Sequence, residues 1–350
     1  MSNPKNSLSV SRRKFLATSG TLAAGLVTTS NSIIGAPGIM KFYGKHDSLI
    51  KGVQIGVITY SFRSMEDQSA EATLKYVKDC GISAIELMGG PAESYAGMPV
   101  SSIDRRAYFG LRRKARNGEL TGDEQKEYDE LTAEMENYNK SVVEWRSKVS
   151  MDKFIEFKKM YADAGVSIYA FKPSAFGVRN TDAEIDYGFR AAKALGANQV
   201  TLELPGDDAH TKKLGKFGSK HKIYIAYHGH EQQTPTWWDT ALGQSDYNAM
   251  NLDLGHYVAA GNPDPLDLIR EKHDRIKSMH IKDRQTPENG KQNLPWGEGD
   301  TPIIESLELM SKNQYKFPAT IELEYKVPED SDPVKEVTKC MDFCRKGLEA

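Results

Sequence analysis

Eight short runs rich in β-branched and aromatic residues recur along the chain beyond residue 48, and amphipathic helical stretches separate most of them. The runs lie at 52–62, 82–90, 166–174, 198–205, 222–231, 248–257, 275–284 and 318–325. Several helical stretches end in a glycine suited to a left-handed cap, and the next run follows within a few residues. This alternation predicts a parallel sheet, and eight strands in about 300 residues favour a single closed (β/α)8 TIM barrel over an open sheet.

One segment interrupts the alternation. Between the second and third predicted strands, residues 91–149 are dense in Glu, Lys and Arg, with apolar residues at helical spacing. The pattern predicts a charged helical insertion in the loop after strand 2. Because loops of this type lie on the catalytic face of a barrel, we expect either a lid or a contact within a homo-oligomer, with a solvated helical decoration as the alternative.

Composition narrows the possible partners. The 350 residues, 39% of them hydrophobic, are enough for one large barrel. A formal net charge of −2 carries no electrostatic signature of a nucleic-acid-binding or anionic-membrane-binding protein. The cysteines Cys80, Cys340 and Cys344 are too few and too scattered for a disulfide framework.

The N-terminus has the pattern of an export signal. Arg12 and Arg13 precede Phe15 and a short, weakly apolar run at 17–29, which is too short and too polar for a membrane span. Ser-Arg-Arg-Lys-Phe-Leu resembles the twin-arginine signal, which implies the twin-arginine translocase as an export partner and a periplasmic location. We therefore predict a signal peptide at 1–36, a linker at 37–50 and the barrel at 51–350.

Polar side chains collect at the ends of predicted strands three to eight. They are Lys172, Glu203, His228, His230, Glu231, Asp253, His256, His280, Asp283, Glu322 and Glu324. In a barrel these strand ends converge on one mouth, so residues distant in sequence become neighbours. Asp253 follows an apolar run, and a buried carboxylate without a partner costs several kcal/mol. Mixed imidazole and carboxylate ligands suit Zn, Mn, Fe or Co, so the sequence predicts a divalent metal ion as cofactor.

These strand ends resemble those of the xylose-isomerase-like barrel superfamily, which contains sugar phosphate isomerases and epimerases. An Asp-x-x-His motif on strand six matches at Asp253 and His256, and a His-x-x-Asp motif on strand seven matches at His280 and Asp283. The sequence Thr-Ile-Glu-Leu-Glu-Tyr places Glu322 on strand eight. The resemblance implies one metal ligand from the end of each of strands five to eight.

Strand five departs from the family pattern. Where relatives often have Ala-Leu-Glu, this chain has Ala-Tyr-His, which aligns His228 with the expected ligand. We expect His228 to bind the metal together with Asp253, His280 and Glu322. His230 or Glu203 could take its place, and both alternatives remain open at this point.

The remaining polar residues are candidates for chemistry and for substrate contacts. Candidate catalytic residues are Lys172, Glu203, His256 and Glu322; candidate substrate-binding residues are His230, Asp283, Trp296 and Glu298. Glu322 could ligate the metal and also act as the base, while Lys172 could hold a substrate oxygen. Trp296 and Glu298 lie in Leu-Pro-Trp-Gly-Glu-Gly, which matches a loop that lies near the substrate in relatives.

A metal bound to a sugar carbonyl would stabilise the enediolate that forms when a neighbouring carbon loses its proton to a nearby base. The resemblance therefore implies a metal-dependent isomerase or epimerase. Phosphorylated sugars are mostly kept in the cytoplasm, so an exported enzyme is expected to act on a non-phosphorylated sugar or keto-sugar. One alternative is a lyase or hydratase that eliminates from 3-keto-glycosides, and another is a non-catalytic periplasmic sugar-binding protein.

Overall fold

The structure, a computed structural model, describes residues 47–350. Eight parallel strands form its centre: β1 (Val53–Ile58), β2 (Ala84–Met88), β3 (Ser167–Lys172), β4 (Gln199–Glu203), β5 (Tyr224–His228), β6 (Asn248–Asp253), β7 (Ile276–Ile281) and β8 (Ala319–Ile321). Each strand pairs with the next in parallel, and β8 also pairs with β1, which closes the ring. The predicted (β/α)8 barrel is confirmed.

Helices connect the strands. They are α1 (Ala70–Asp79), α2 (Gly89–Tyr95), α3 (Arg105–Asn117), α4 (Gly122–Lys148), α5 (Asp152–Asp163), α6 (Asp182–Leu195), α7 (Asp208–His221), α8 (Asp239–Gln244), α9 (Leu254–Ala259), α10 (Pro265–Lys272), α11 (Ile303–Asn313) and α12 (Pro333–Glu349). Local sequence sets their ends. On α6, Thr181 and Glu184 form a reciprocal capping box, and Gly196 ends the helix with φ of 83°.

The strands are largely buried on both faces, as expected where helices cover the outside of a parallel sheet. Every residue of β6 is buried. Its side chains alternate, because successive residues of a strand point to opposite faces. Asn251 contacts Glu86 of β2 and Ser278 of β7, so its face of β6 lines the barrel interior. Asp253 shares that face and is therefore directed into the barrel at the strand end.

The charged segment at 91–149 contains most of α2 and the whole of α3 and α4. Most of the 27-residue α4 is solvent-exposed, and its buried residues are Val142 and Arg146. The Arg146 guanidinium donates to Glu184 of α6 at 3.0 Å and to Glu93 of α2 at 3.4 Å. All three side chains are about 95% buried. This ion-pair network attaches the C-terminal end of α4 to the helices that surround the barrel.

The predicted signal peptide lies outside the described residues. Among residues 47–350, none of the helices combines the length and the hydropathy that a membrane span requires.

Candidate metal centre

Four metal-capable side chains meet at the C-terminal ends of β5 to β8. His228, Asp253, His280 and Glu322 each direct one nitrogen or oxygen toward the others, and these four atoms lie within 4.8 Å of one another. All four residues are buried. The structure thus brings together the four residues predicted as ligands. Of the three candidates for the strand-five position, His228 is the one that joins this group.

Asp253 occupies the junction between β6 and α9. Its Oδ1 accepts the backbone N–H of His256 at 2.7 Å and so caps the helix. Its Oδ2 is buried and accepts no well-directed hydrogen bond among the described residues, although the ammonium of Lys282 lies 2.9 Å from it. The Nε2 of His228 and the Nδ1 of His280 each lie 3.9 Å from this oxygen. Burial raises the pKa of Asp253, and the charge of Lys282 opposes that rise.

His280 lies between two carboxylates. Its Nδ1 is 3.0 Å from Glu322 and its Nε2 is 2.8 Å from Glu86. Burial by itself lowers the pKa of His280, but Glu86 and Glu322 outweigh that effect and raise it to about 10. Burial would likewise raise the pKa of Glu322, but Lys282 and His280 hold it well below its ordinary value. Since metal binding requires an unprotonated nitrogen, an ion at Nδ1 would displace a proton from His280.

Lys282 is a buried cation at the same place. Its Nζ is 2.9 Å from Asp253, 2.6 Å from Glu322 and 2.8 Å from Glu324. Burial would lower the pKa of Lys282, but these carboxylates raise it above its ordinary value. Gly255 leaves room for the Lys282 side chain, because a Cβ at position 255 would lie 2.4 Å from Cγ of Lys282. The ammonium and a divalent ion would therefore share Asp253 and Glu322.

The donor set suits a divalent transition metal. Two imidazole nitrogens and two carboxylate oxygens form a mixed site of the kind that Zn, Mn, Fe or Co accepts. Lys282 places one positive charge 2.9 Å from Asp253 Oδ2, yet this buried oxygen accepts no well-directed hydrogen bond, so it keeps an acceptor position that a bound cation would fill. The residues present fit a metal ion.

A second imidazole group lies beside the first. His230 and His256 have ring centroids 4.7 Å apart, and both lie next to His228. The Nδ1 of His256 is 2.5 Å from the guanidinium of Arg284, which always donates, so this nitrogen accepts. The other nitrogen, Nε2, then carries the hydrogen and lies 3.7 Å from Glu324. Burial, followed by the charge of Lys282, lowers the pKa of His256 to about 3.

Lys172 and Glu203 lie on the rim of the same mouth. The Lys172 ammonium donates to Glu203 at 3.1 Å, and His230 lies 3.7 Å from the same carboxylate group. Glu203 and His230 are each about half exposed, with side-chain exposures of 49% and 52%. Both are therefore open to a molecule that enters the mouth.

Three predicted substrate contacts lie in or under the loop after β7. Asp283 is buried and accepts the backbone N–H groups of Gly297, Gly299 and Thr301. Its carboxylate thus holds this loop in place. Trp296 packs edge-on against Phe343 of α12, while Glu298 is solvent-exposed.

Sequence reasoning missed Glu86, Asn251, Lys282 and Arg284, which surround the four grouped side chains. The alternation of side chains along a strand could have identified two of these four residues. Lys282 follows His280 by two positions and Asn251 precedes Asp253 by two, so each shares the face of a predicted ligand.

Solved structures of other proteins share the fold of this barrel. AsbF of Bacillus anthracis, a probable 3-DHS dehydratase involved in petrobactin synthesis, is 14% identical, with a TM-score of 0.54 over 85% of this chain and 99% of that one. The IOLI protein with a bound zinc atom is 14% identical, with a TM-score of 0.54 over 85% and 98%. The 3-keto-D-glucoside 4-epimerase YcjR of E. coli is 10% identical, with a TM-score of 0.52 over 84% and 99%.

At these identities the likeness shows a shared fold. No curated protein matches the chain significantly in sequence. Residues 132–346 match the family model described as a xylose isomerase-like TIM barrel, which covers β3 to β8 and the four grouped side chains. The chain belongs to the xylose isomerase-like TIM barrel family.

Proposed function

We propose that the protein is a divalent-metal-dependent isomerase or epimerase that acts on a non-phosphorylated sugar or keto-sugar. The observation that carries this proposal is the buried group of His228, Asp253, His280 and Glu322 at the barrel mouth, whose donor atoms lie within 4.8 Å of one another. These four residues would hold the ion. Bound there, Mn, Zn, Fe or Co would supply Lewis-acid polarisation of the substrate oxygens.

Proton transfer falls to carboxylates on opposite walls of the mouth. Glu203 ends β4 and Glu322 follows β8, and these strands lie four positions apart in a ring of eight. An epimerase needs a group on each face of the carbon that loses and regains its proton. We assign the two proton-transfer roles to Glu203 and Glu322 because they lie on opposite walls of the mouth.

His256 and Lys172 orient the substrate in this proposal. Because Arg284 donates to Nδ1 of His256, the Nε2–H of that ring is a hydrogen-bond donor. It therefore positions a substrate oxygen and does not act as the base. Lys172, at the end of β3, is a second donor at the mouth, where it can hold another oxygen.

A lyase that eliminates from 3-keto-glycosides is the second candidate. It uses the same proton abstraction, followed by loss of a leaving group from the neighbouring carbon. Its support is the fold shared with a probable dehydratase and with a 3-keto-D-glucoside epimerase. The Nε2–H donor of His256 would suit a departing oxygen.

The N-terminal twin-arginine pattern at Arg12 and Arg13 supports export to the periplasm. That location is the basis for proposing a substrate without phosphate, since phosphorylated sugars would rarely be met there. Export by the twin-arginine translocase would also allow the barrel to fold and load its ion before it leaves the cytoplasm.

The test is solvent-deuterium exchange into keto-sugars and 3-keto-glycosides, followed by NMR on protein loaded with Mn or Zn. Exchange with a changed configuration supports the epimerase, and a new double bond supports the lyase. The Asp253→Ala and His280→Ala variants should lose both the ion and the exchange, whereas His273→Ala, a partly exposed histidine outside the mouth, should keep both. Sugar binding without exchange under any metal would favour the non-catalytic binding protein.

A further inference from the structure

We propose that Glu86 and Asn251 are positioning residues that set, before any ion binds, which nitrogen of His228 and which nitrogen of His280 faces the metal. The inference rests on the metal centre of the proposed function and concerns residues that would not themselves be ligands. Both are fully buried in the barrel interior, Glu86 on β2 and Asn251 on β6.

The orientation of the Asn251 amide follows from its neighbours. Its Nδ2 is 3.1 Å from Glu86 and 2.8 Å from the hydroxyl of Ser278. Glu86 as a carboxylate can only accept, so the amide NH2 must face it. The amide oxygen then faces His228, 2.9 Å from Nδ1. That nitrogen must therefore donate, and the lone pair of His228 is left on Nε2, the atom directed toward Asp253.

Glu86 imposes the opposite choice on His280. One carboxylate oxygen accepts from Nε2 of His280 at 2.8 Å and also from Asn251, while the other accepts from the Thr201 hydroxyl at 2.6 Å. A hydrogen on Nε2 leaves Nδ1 for the ion, and Nδ1 is the atom that faces Asp253 and Glu322. One connected network thus turns Nε2 of one ring and Nδ1 of the other toward the same point.

The network also accounts for an imidazole at the end of β5. The amide oxygen of Asn251 needs a donor beside it, and the Nδ1–H of His228 provides one. A carboxylate at position 228 would instead place two acceptors next to each other. Asn251 is therefore matched to a histidine, and not to a carboxylate, at the end of β5. Outer hydrogen-bond partners of this kind fix the tautomer and orientation of metal-binding histidines.

The first test determines the His228 tautomer in the parent protein and then in one variant. Histidine ¹⁵N NMR on chelator-treated protein at neutral pH should show His228 as the Nδ1–H tautomer. In Asn251→Leu the tautomer should shift toward Nε2–H, because the acceptor is gone. A purely structural role for Asn251 would not move this signal. Finding Nε2–H in the parent protein would overturn the proposal.

The second test measures Zn²⁺ and Mn²⁺ affinity by calorimetry. Asn251→Leu and Glu86→Met should each weaken binding by roughly 10–100-fold. Glu86→Gln should recover most of the affinity, since its amide oxygen can still accept from His280. Thr201→Val is the matched control, because it removes a hydrogen bond to Glu86 but leaves both imidazole contacts, and it should bind like the parent.

The two proposals fail in different ways. If the parent binds neither ion, the metal-dependent function fails, while the tautomer of His228 still tests the network. If the parent binds and folded Asn251→Leu and Glu86→Met also bind equally well, with the tautomer unchanged in Asn251→Leu, the positioning role is wrong and the metal centre stands.

Discussion

Removal of the Lys282 ammonium should lower the thermal stability of the metal-free protein and, at the same time, raise its affinity for a divalent metal ion. Lys282 is paired with carboxylates of Asp253, Glu322 and Glu324 at 2.6–2.9 Å, and only 2% of its side chain is exposed. Breaking a buried ion pair by loss of one partner costs about 3–5 kcal/mol. At about 2 °C per kcal/mol for a domain of this size, Lys282→Met should melt roughly 6–10 °C lower in chelator.

The same substitution should favour metal binding. A neighbouring positive charge costs a bound cation up to several kcal/mol at an effective dielectric of about 20. Recovering about 1.4 kcal/mol of that repulsion would make binding roughly tenfold tighter. Saturating metal should therefore raise the melting temperature of Lys282→Met by more than it raises that of the parent, since the stabilisation grows with the ratio of ligand concentration to Kd.

The assay is thermal melting with and without metal, together with calorimetric Kd values. Lys75→Met is the matched control, because Lys75 forms an exposed pair with Asp79 on α1, and such pairs contribute about 0–1 kcal/mol. The reasoning is refuted if Lys282→Met melts like Lys75→Met in chelator, or if it binds metal more weakly than the parent.

Three further predictions concern other parts of the site and fold. Arg146→Met should lower the free energy of unfolding, measured by denaturant titration, by about 3–5 kcal/mol, because it leaves Glu93 buried without its cation. Arg345→Met, which removes a surface ion pair, should change the free energy of unfolding by less than about 1 kcal/mol. In chelator, the melting temperature should fall as the pH rises from about 6.5 toward 10. The pKa of His280 is raised to about 10 in the folded protein, so the stabilisation from its positive charge is complete below the unfolded-state pKa of about 6.5 and is lost as the pH approaches the folded-state pKa. The His280→Gln variant should lack this fall. Glu203→Gln should lower turnover by about 10²-fold or more with unchanged metal content, and equal turnover would remove Glu203 from catalysis.

The barrel was predictable because its constraints are repeated eight times along the chain. Each strand is apolar and helix-flanked, and glycine or Asx residues mark the helix ends, so an error at one element leaves the architecture intact. The grouping of Asp253, His280 and Glu322 followed from the same regularity, since parallel strands in a barrel end at one mouth. His228 was harder, because its identity departs from the family pattern and only its position at the end of β5 indicated its place.

The supporting residues were not predictable by the same reasoning. Glu86 in Ile-Glu-Leu-Met reads as one polar residue in a half-exposed strand, and Lys282 reads as a charged residue that points to solvent. Both are buried because the interior of this barrel is polar near its mouth. The contact between Glu86 and His280 joins residues 194 positions apart, so no local pattern encodes it. Such pairings depend on the register of opposite walls of the barrel.

The most direct test of the metal centre is anomalous diffraction at the Zn or Mn absorption edge from crystals of the metal-loaded protein. The account predicts one strong peak with Nε2 of His228, Nδ1 of His280 and oxygens of Asp253 and Glu322 as its ligands, at about 2.0–2.2 Å for zinc. A peak bound only by surface residues, or no peak at the barrel mouth, would contradict it.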